Sequence, residues 1–356
     1  MKCILSIETS CDETGFAIVG VDGKVLFDQT KTQLIHKKFS GVIPELASRE
    51  HIIFIQEIWN EAKQIIIKNS LDIIAVSATS GPGLIGSLLT GIMFAKGLSF
   101  SMKIPFIPIN HLEGHIMSLA IKSKNEQLFI EKIPNNEKFI TLLISGGHCQ
   151  FLIRSGFGSY DYLGGSIDDS IGEAFDKVAR MLSLEYPGGP EIEKMAKNGN
   201  INSFKLPMPL CNKENCDMSF SGLKTAVYYL VKEKQKNGDL TQELICDLSA
   251  SFQHTVAKII VKKTNIAVKQ FKEKNGGNVK IFVCGGVSAN NYIKNYLENN
   301  IDGEILYPIQ KYSTDNGLMI ASAAFQYYHN NKIPDIQDIA KSRWPLKDIL
   351  IKDFQF

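Results

Sequence analysis

Phe139-Ile140-Thr141-Leu142-Leu143-Ile144-Ser145-Gly146-Gly147-His148-Cys149-Gln150-Phe151-Leu152-Ile153-Arg154 is the stretch on which the fold turns. An apolar strand runs to Ile144, Ser145-Gly146-Gly147-His148 makes a glycine-rich turn, and a second strand returns from Cys149 to Arg154. The same plan opens the chain. Cys3 to Ile7 is apolar, Glu8-Thr9-Ser10-Cys11-Asp12-Glu13-Thr14-Gly15 is a polar turn, and Phe16 to Val19 returns. Asp22-Gly23 then signals a hairpin into a third strand, Lys24 to Asp28. A third version runs from Val279 to Cys284 into Gly285-Gly286-Val287-Ser288-Ala289-Asn290-Asn291 and a helix. One plan repeated predicts an α/β protein of two lobes, each a mixed sheet with helices. The expected boundaries are 1–122, 123–314 and a C-terminal helix and tail, 315–356, packing back on the first lobe.

Outward from these strands, Pro44 and Glu45 start a helix whose apolar positions include Ala47, Ile52, Ile55, Ile58 and Ala62. Ile73 to Ser77 reads as a buried strand. It feeds Ser80-Gly81-Pro82-Gly83-Leu84-Ile85-Gly86-Ser87 and a helix from Leu88 to Ser99. A strand leading through glycines to a helix N-terminus suits an anion, and equally suits plain close packing. Three such strand-then-glycine turns facing one cleft would form a nucleotide cradle.

The chain of 356 residues is 44% hydrophobic and 21% charged, an ordinary globular composition. Its net charge of +2 leaves little overall grip for nucleic acid, so RNA binding would need a local patch or a partner. No apolar run reaches the ~18 residues of a membrane span. The N-terminus runs straight into a strand, and the seven cysteines are odd in number and partly placed in apolar runs. A cytoplasmic location is therefore expected. Cys211 and Cys216 form the one close pair, readable as half a zinc knuckle or as two loop cysteines.

Asn110-His111-Leu112-Glu113-Gly114-His115 carries two histidines at i and i+4, on one side of a helical turn. They suit a divalent metal, or they cap a helix. A zinc protease needs glutamate directly after the first histidine, where this chain has Leu112. A further ligand is offered by Asp315 in Ser313-Thr314-Asp315-Asn316-Gly317, unless that carboxylate is an N-cap. Two histidines and a carboxylate leave open positions and suit iron or zinc. Asp168-Asp169-Ser170-Ile171-Gly172-Glu173-Ala174-Phe175-Asp176-Lys177 holds four carboxylates, either a solvated face or partners for ribose hydroxyls. Lys224, in Ser219-Phe220-Ser221-Gly222-Leu223-Lys224-Thr225, meets a phosphate or lies on the surface.

In order along the chain, Ile7 to Thr14, Pro44-Glu45-Leu46-Ala47-Ser48-Arg49, Gly81-Pro82-Gly83-Leu84, His111-Leu112-Glu113-Gly114-His115, Ser145-Gly146-Gly147-His148, Gly172 to Lys177, Ser219 to Thr225, Gly285 to Asn290 and Arg343-Trp344-Pro345-Leu346 resemble one family. It is the tRNA N6-adenosine threonylcarbamoyltransferase family, in its bacterial or organellar form. Phe39-Ser40-Gly41 departs from it, since relatives often carry a second glycine in this loop, which is suspected of meeting tRNA.

The resemblance implies the fold of actin, hexokinase and the heat-shock ATPases, with two lobes around a nucleotide cleft. It implies that His111, His115 and Asp315 bind one divalent metal, Fe(II) ahead of Zn. Leu143, Ile144, Ser145, Gly146 and Gly147 would line the phosphate and carbonyl end of the substrate. Asp176, Gly189, Glu193 and Asn290 would hold its ribose and base. The substrate would be threonylcarbamoyl-AMP, in a pocket also able to bind ATP or AMP, and the acceptor N6 of adenosine 37 in tRNAs reading codons that start with A. No catalytic base is assigned. A smaller paralogous subunit and a small ATPase would be partners, without a membrane. The competing readings are a nucleotide-binding scaffold and a metalloprotease, an old label of this family.

Overall fold

In the computed structural model, which describes residues 1–39, 41–236, 238, 240–336 and 338–356, the chain divides into two units. Met1–Glu137, Ser155–Tyr160 and Pro308–Phe356 form the first; Lys138–Arg154 and Asp161–Tyr307 form the second. Ser40, in the loop that departs from the family pattern, lies outside the described residues. The first break falls after Glu137 rather than after residue 122, because Lys24 bridges to Phe129 and Ile130 N–H donates to Gly23 O at 2.8 Å. The return falls at Pro308 rather than at 315, because Tyr312 Oη donates to Asp28 at 2.8 Å.

The first unit begins with β1 (Lys2–Glu8), β2 (Glu13–Gly20) and β3 (Val25–Thr32), then α1 (Pro44–Lys68), β4 (Asp72–Gly81), α2 (Ile85–Met102), β5 (Phe106–Asn110), α3 (His111–Met117) and the hairpin β6 (Ile121–Lys124)–β7 (Gln127–Ile130). Its sheet order is β3-β2-β1-β4-β5, antiparallel across β1–β3 and parallel from β1 through β4 to β5. β1 lies in the middle, buried from Cys3 onward, which is why its sequence is a continuous apolar run rather than an alternation. Leu5, Ile7, Phe16 and Ile18 pack with Ile55 and Ile58 of α1 and with Leu88 and Ile92 of α2. The buried face of α1 is Ala47, His51, Ile55, Ile58 and Ala62. Ile52, read as part of that face, is 60% exposed. His51 takes the inward place because its ring finds two partners, Thr14 Oγ1 at 2.7 Å and Cys11 O at 3.0 Å.

The second unit contains β8 (Phe139–Ile144), β9 (Cys149–Gly156), β10 (Ser159–Gly165), α4 (Ile171–Met181), α5 (Gly188–Ala196), α6 (Ser221–Lys236), α7 (Gln242–Asn275), β11 (Lys280–Cys284), α8 (Asn291–Asn300) and β12 (Glu304–Leu306). Its sheet order is β10-β9-β8-β11-β12, with β8–β9 antiparallel and β8–β11–β12 parallel. α7 runs through the core, burying Phe252, Val256, Ile259, Ile260 and Ala267. α2 and α7 have the length and apolarity of spanning helices, yet α7 is largely buried within its unit and α2 buries Leu88, Ile92 and Ala95 in the first core. Cys211 and Cys216 are buried free thiols, and among the described residues no third ligand joins them. In place of a metal, the Lys263 ammonium holds their loop, donating to Leu210 O, Lys213 O and Asn215 O at 2.8, 3.0 and 2.8 Å.

The chain then returns to the first unit through α9 (Gly317–His329), β13 (Lys332–Pro334) and β14 (Ile351–Asp353). α9 is buried from Gly317 to Tyr327. Two close approaches seat it. A Cβ on Gly114 would stand 2.8 Å from Ile320 Cδ1, and one on Gly15 would stand 2.3 Å from Gly317 N.

Candidate active site

In the first unit, His111 and His115 stand one turn apart on α3, their rings 4.8 Å apart and nearly perpendicular. Asp315 Oδ1 lies 3.6 Å from His111 Nε2 and 3.0 Å from His115 Nε2. One ligand atom from each of the three falls within 4.8 Å of the others. Capping does not explain any of them. Asn110 Oδ1 caps α3, accepting from Leu112 N–H and Glu113 N–H at 2.9 and 3.3 Å. Asn316 Oδ1 caps α9, accepting from Met319 N–H at 2.9 Å, so Asp315 is left outside the cap. His115 is buried, and among the described residues neither ring nitrogen has a hydrogen-bond partner. Its approach to Asp315 lacks the alignment of a hydrogen bond; the two groups converge on one point. An orphaned buried imidazole beside a carboxylate fits a metal ligand set.

The surroundings favour a cation. Glu8, at the buried end of β1, accepts from Ser10 N–H at 2.6 Å and from the Thr79 hydroxyl. His111 Nδ1 lies 3.1 Å from Ser10 Oγ and 3.5 Å from Glu8 Oε2, which directs Nε2 toward Asp315. Burial lowers the His111 pKa, but Asp315 and Glu8 overcome it and push the ring up to about 9. Burial, then Asp315 and Asp12, hold the Glu13 carboxyl well above the usual range; burial, then Asp12 and Asp315, do the same to the Cys11 thiol. Such a field favours positive charge between the two histidines and Asp315. Glu113 is engaged elsewhere: Tyr160 and Tyr327 donate their hydroxyls to its two oxygens at 2.8 and 2.6 Å. Glu113 thus faces two tyrosine hydroxyls.

The second unit brings the remaining predicted residues into a ring of contacts. Leu143 and Ile144 are buried at the end of β8, so only their backbone can face a ligand. Ser145 N–H closes the next turn on His148 O at 2.7 Å. Gly172, in the first turn of α4, packs on Gly146 so closely that a Cβ would meet Gly146 Cα at 2.6 Å. From α4, Asp176 accepts from Gly188 N–H at 2.7 Å, beside Gly189 at the start of α5. From α5, Glu193 accepts from Asn291 N–H at 3.0 Å. Asn290 caps α8 through Ile293 N–H at 2.9 Å and donates to Gln253 at 2.9 Å. Gly285 closes the ring, since a Cβ there would stand 2.5 Å from Ile144 O.

Within this ring, a Cβ at Gly146, Gly147 or Gly189 would meet nothing within 4 Å. The Ser80–Ser87 turn of the first unit behaves in the opposite way. Cβ atoms at Gly81 and Gly83 would strike Lys341 O at 2.1 Å and Ser10 O at 2.7 Å, and Leu84 N–H already donates to Ser10 O at 2.9 Å. Gly81 and Gly83 therefore serve close packing. The four carboxylates of Asp168 to Asp176 also separate. Asp169 is paired with Lys177 and with Lys224, so Lys224 joins α6 to the start of α4. Glu8, Ser10 and Thr79 were missed from sequence; the one available signal was a carboxylate ending an otherwise apolar central strand.

Comparison with known proteins gives the family. The family described as tRNA N6-adenosine threonylcarbamoyltransferase matches residues 24–322. The chain is 40% identical over 352 residues to the protein of that name from Anaplasma phagocytophilum, covering 98% of this chain and 99% of that one. It is 42% identical to the one from Wolbachia pipientis, covering 98% and 99%, and 43% identical to the one from Rickettsia bellii, covering 98% and 100%. Among solved structures, T. kodakarensis HypF aligns with a TM-score of 0.58 at 12% identity, over 92% of this chain and 48% of that one, a likeness of fold alone. The fold class shared with it is mixed α/β. With a family match over most of its length and relatives above 40% identity end to end, the chain belongs to the tRNA N6-adenosine threonylcarbamoyltransferase family.

Proposed function

We propose that this protein moves the threonylcarbamoyl group of threonylcarbamoyl-AMP onto N6 of adenosine 37 in tRNAs reading codons that start with A. The N6–C bond forms at the carbamoyl carbon, the C–O bond to phosphate breaks, and AMP leaves with that electron pair while the amine gives up a proton. The observation that carries the metal-dependent part is the sparing of His111, His115 and Asp315 from capping by Asn110 and Asn316. These three would hold a divalent ion, Fe(II) by preference and Zn otherwise, which supplies Lewis-acid polarisation of the threonylcarbamoyl oxygens. Glu8 and Ser10 orient His111.

In the second unit, the open space at Gly146, Gly147 and Gly189 supports a nucleotide that approaches the backbone closely. Asp176, Glu193 and Asn290 would frame its ribose and base. Positioning the amine is the main task, since a well-placed nucleophile gains most of its rate from orientation. The same proposal puts the reaction in the cytoplasm, with a smaller paralogous subunit and a small ATPase. Apolar side chains left uncovered on α1 and α2, among them Ile53, Met93 and the 88% exposed Phe100, support such a partner.

The test is transfer of radiolabelled threonine to tRNA by purified protein with both partners, the adenylate-forming synthase, ATP and bicarbonate. Label on adenosine 37 that a chelator removes and added iron restores is the expected result. Absence of label, with every other component active on a control transferase, would favour the nucleotide-binding scaffold.

A further inference from the structure

The middle of the Ser145–His148 turn is held from outside itself. Its own hydrogen bonds, Ser145 N–H to His148 O at 2.7 Å and His148 N–H to Ser145 Oγ at 3.1 Å, close the ends. They leave Gly146 and Gly147, both exposed and without side chains, unsecured. What touches these glycines is the start of α4. The buried Ser170 hydroxyl donates to Gly146 O, and Ser170 Oγ also caps α4 by accepting from Glu173 N–H at 3.2 Å. Gly172 N–H donates to Ser145 O at 3.3 Å. A Cβ on Gly172 would lie 2.6 Å from Gly146 Cα and 2.8 Å from Ser145 O, so only glycine lets α4 approach this far.

The corner that carries Ser170 and Gly172 is itself pinned. Asp168 accepts from Ser219 Oγ at 2.5 Å, Phe220 N–H at 2.8 Å, Ser221 Oγ at 2.7 Å and Ser221 N–H at 3.3 Å, which fixes it to the head of α6. Asp169 takes Lys177 Nζ at 2.5 Å and Lys224 Nζ, joining α4 to α6. Burial raises both carboxyls, but hydrogen bonds to Asp168 and the lysines on Asp169 hold them below the usual range. Both are therefore anions at neutral pH. Five consecutive residues thus connect the head of α6, the body of α4 and the glycine turn.

We propose that Asp168–Gly172 is the positioning element of the nucleotide site, with Ser170 and Gly172 setting where Gly146 and Gly147 stand and Asp168 and Asp169 anchoring that corner to α6. The consequence for ligand rests on the reading of the glycine turn as part of the adenylate site; the hold on the turn does not. A loosened turn keeps its atoms but misplaces them, and a displacement near 1 Å costs up to about 10²-fold in rate.

Two measurements on the full chain separate these parts: amide hydrogen exchange of the 142–150 segment, and AMP affinity by calorimetry. Ser170→Ala and Gly172→Ala are expected to speed exchange in that segment and weaken AMP by about ten-fold or more. Ser170→Thr, which keeps a hydroxyl, is expected to restore both. Transfer assays should place the loss in KM for threonylcarbamoyl-AMP more than in kcat. Gly146→Val, which fills the turn directly, serves as the ligand control. Unchanged exchange in folded Ser170→Ala and Gly172→Ala would overturn the positioning role. Faster exchange with AMP affinity untouched in every variant, Gly146→Val included, would overturn the nucleotide reading and leave the hold on the turn standing.

Discussion

Strand for strand, β3-β2-β1-β4-β5 in the first unit matches β10-β9-β8-β11-β12 in the second, and the first connection of each carries opposite chemistry. After β1 comes Thr9 to Asp12, flanked by Glu8 and Glu13, beside two histidines and Asp315. After β8 comes Ser-Gly-Gly-His, with no charged carboxylate and open space above two glycines. One backbone plan ends its central hairpin in a buried acidic pocket that draws a cation. The other ends it in exposed glycine backbone, where a Cβ would meet nothing within 4 Å. A repeated fold therefore does not imply a repeated site; the side chains at one turn decide it.

The strongest way to break this comparison is to remove the cation side. His111→Ala with His115→Ala should abolish metal binding, read by elemental analysis, and lower transfer by roughly 10³-fold if several kcal/mol of charge stabilisation is lost. AMP affinity should survive, because the glycine ring lies in the second unit. Loss of both activities together would show that the division of labour is wrong.

Next in size is Glu8→Gln. It keeps the acceptor for Ser10 N–H and weakens the charge that orients His111. Metal affinity should fall about 10- to 100-fold, as for other partners of ligating histidines, and competition with a chelator measures it. Full affinity in this variant would reduce Glu8 to a structural acid.

A smaller effect sharpens the contrast between glycines. Gly83→Ala forces a methyl toward Ser10 O at 2.7 Å and should cost about 1–3 kcal/mol of stability, seen as a lower midpoint in denaturant. Gly146→Ala meets nothing within 4 Å and should leave the midpoint in place while weakening AMP. Equal effects on stability would remove the distinction between a packed turn and an open one.

How much of this could be read beforehand follows the range of the interactions. The strands and their turns were legible because alternation of apolar runs with glycine or acidic turns is local. The start of α1 at Pro44 was legible too, but its inward face was not: His51 outcompeted Ile52 only because Thr14 and Cys11, far away in sequence, offered hydrogen bonds. His111, His115 and Asp315 were legible as ligand types. Their neighbours Asn110 and Asn316 take the caps, which the sequence alone did not reveal. The glycines of Ser80–Ser87 and Ser145–His148 look alike as text. What their missing side chains would touch is tertiary, and that alone separates packing from room for a ligand.

The smallest expected effect concerns pH, and it probes the anchoring of the open turn. Asp168 and Asp169 sit below the usual aspartate value of 3.8. A carboxyl depressed on folding stabilises the protein fully above its unfolded value and loses that contribution as pH falls through the folded value. The window therefore opens near pH 4 and extends downward, and neutral-pH stability should be flat with respect to these groups. Asp168→Asn cannot titrate, so its acid unfolding curve should be shallower than that of the wild type below pH 4. The difference should stay under about 1 kcal/mol, because Asp168 is partly solvated and water screens it. A steeper acid limb in the variant would mean that Asp168 is protonated in the folded chain, and that the head of α6 is held to the glycine turn by something other than its charge.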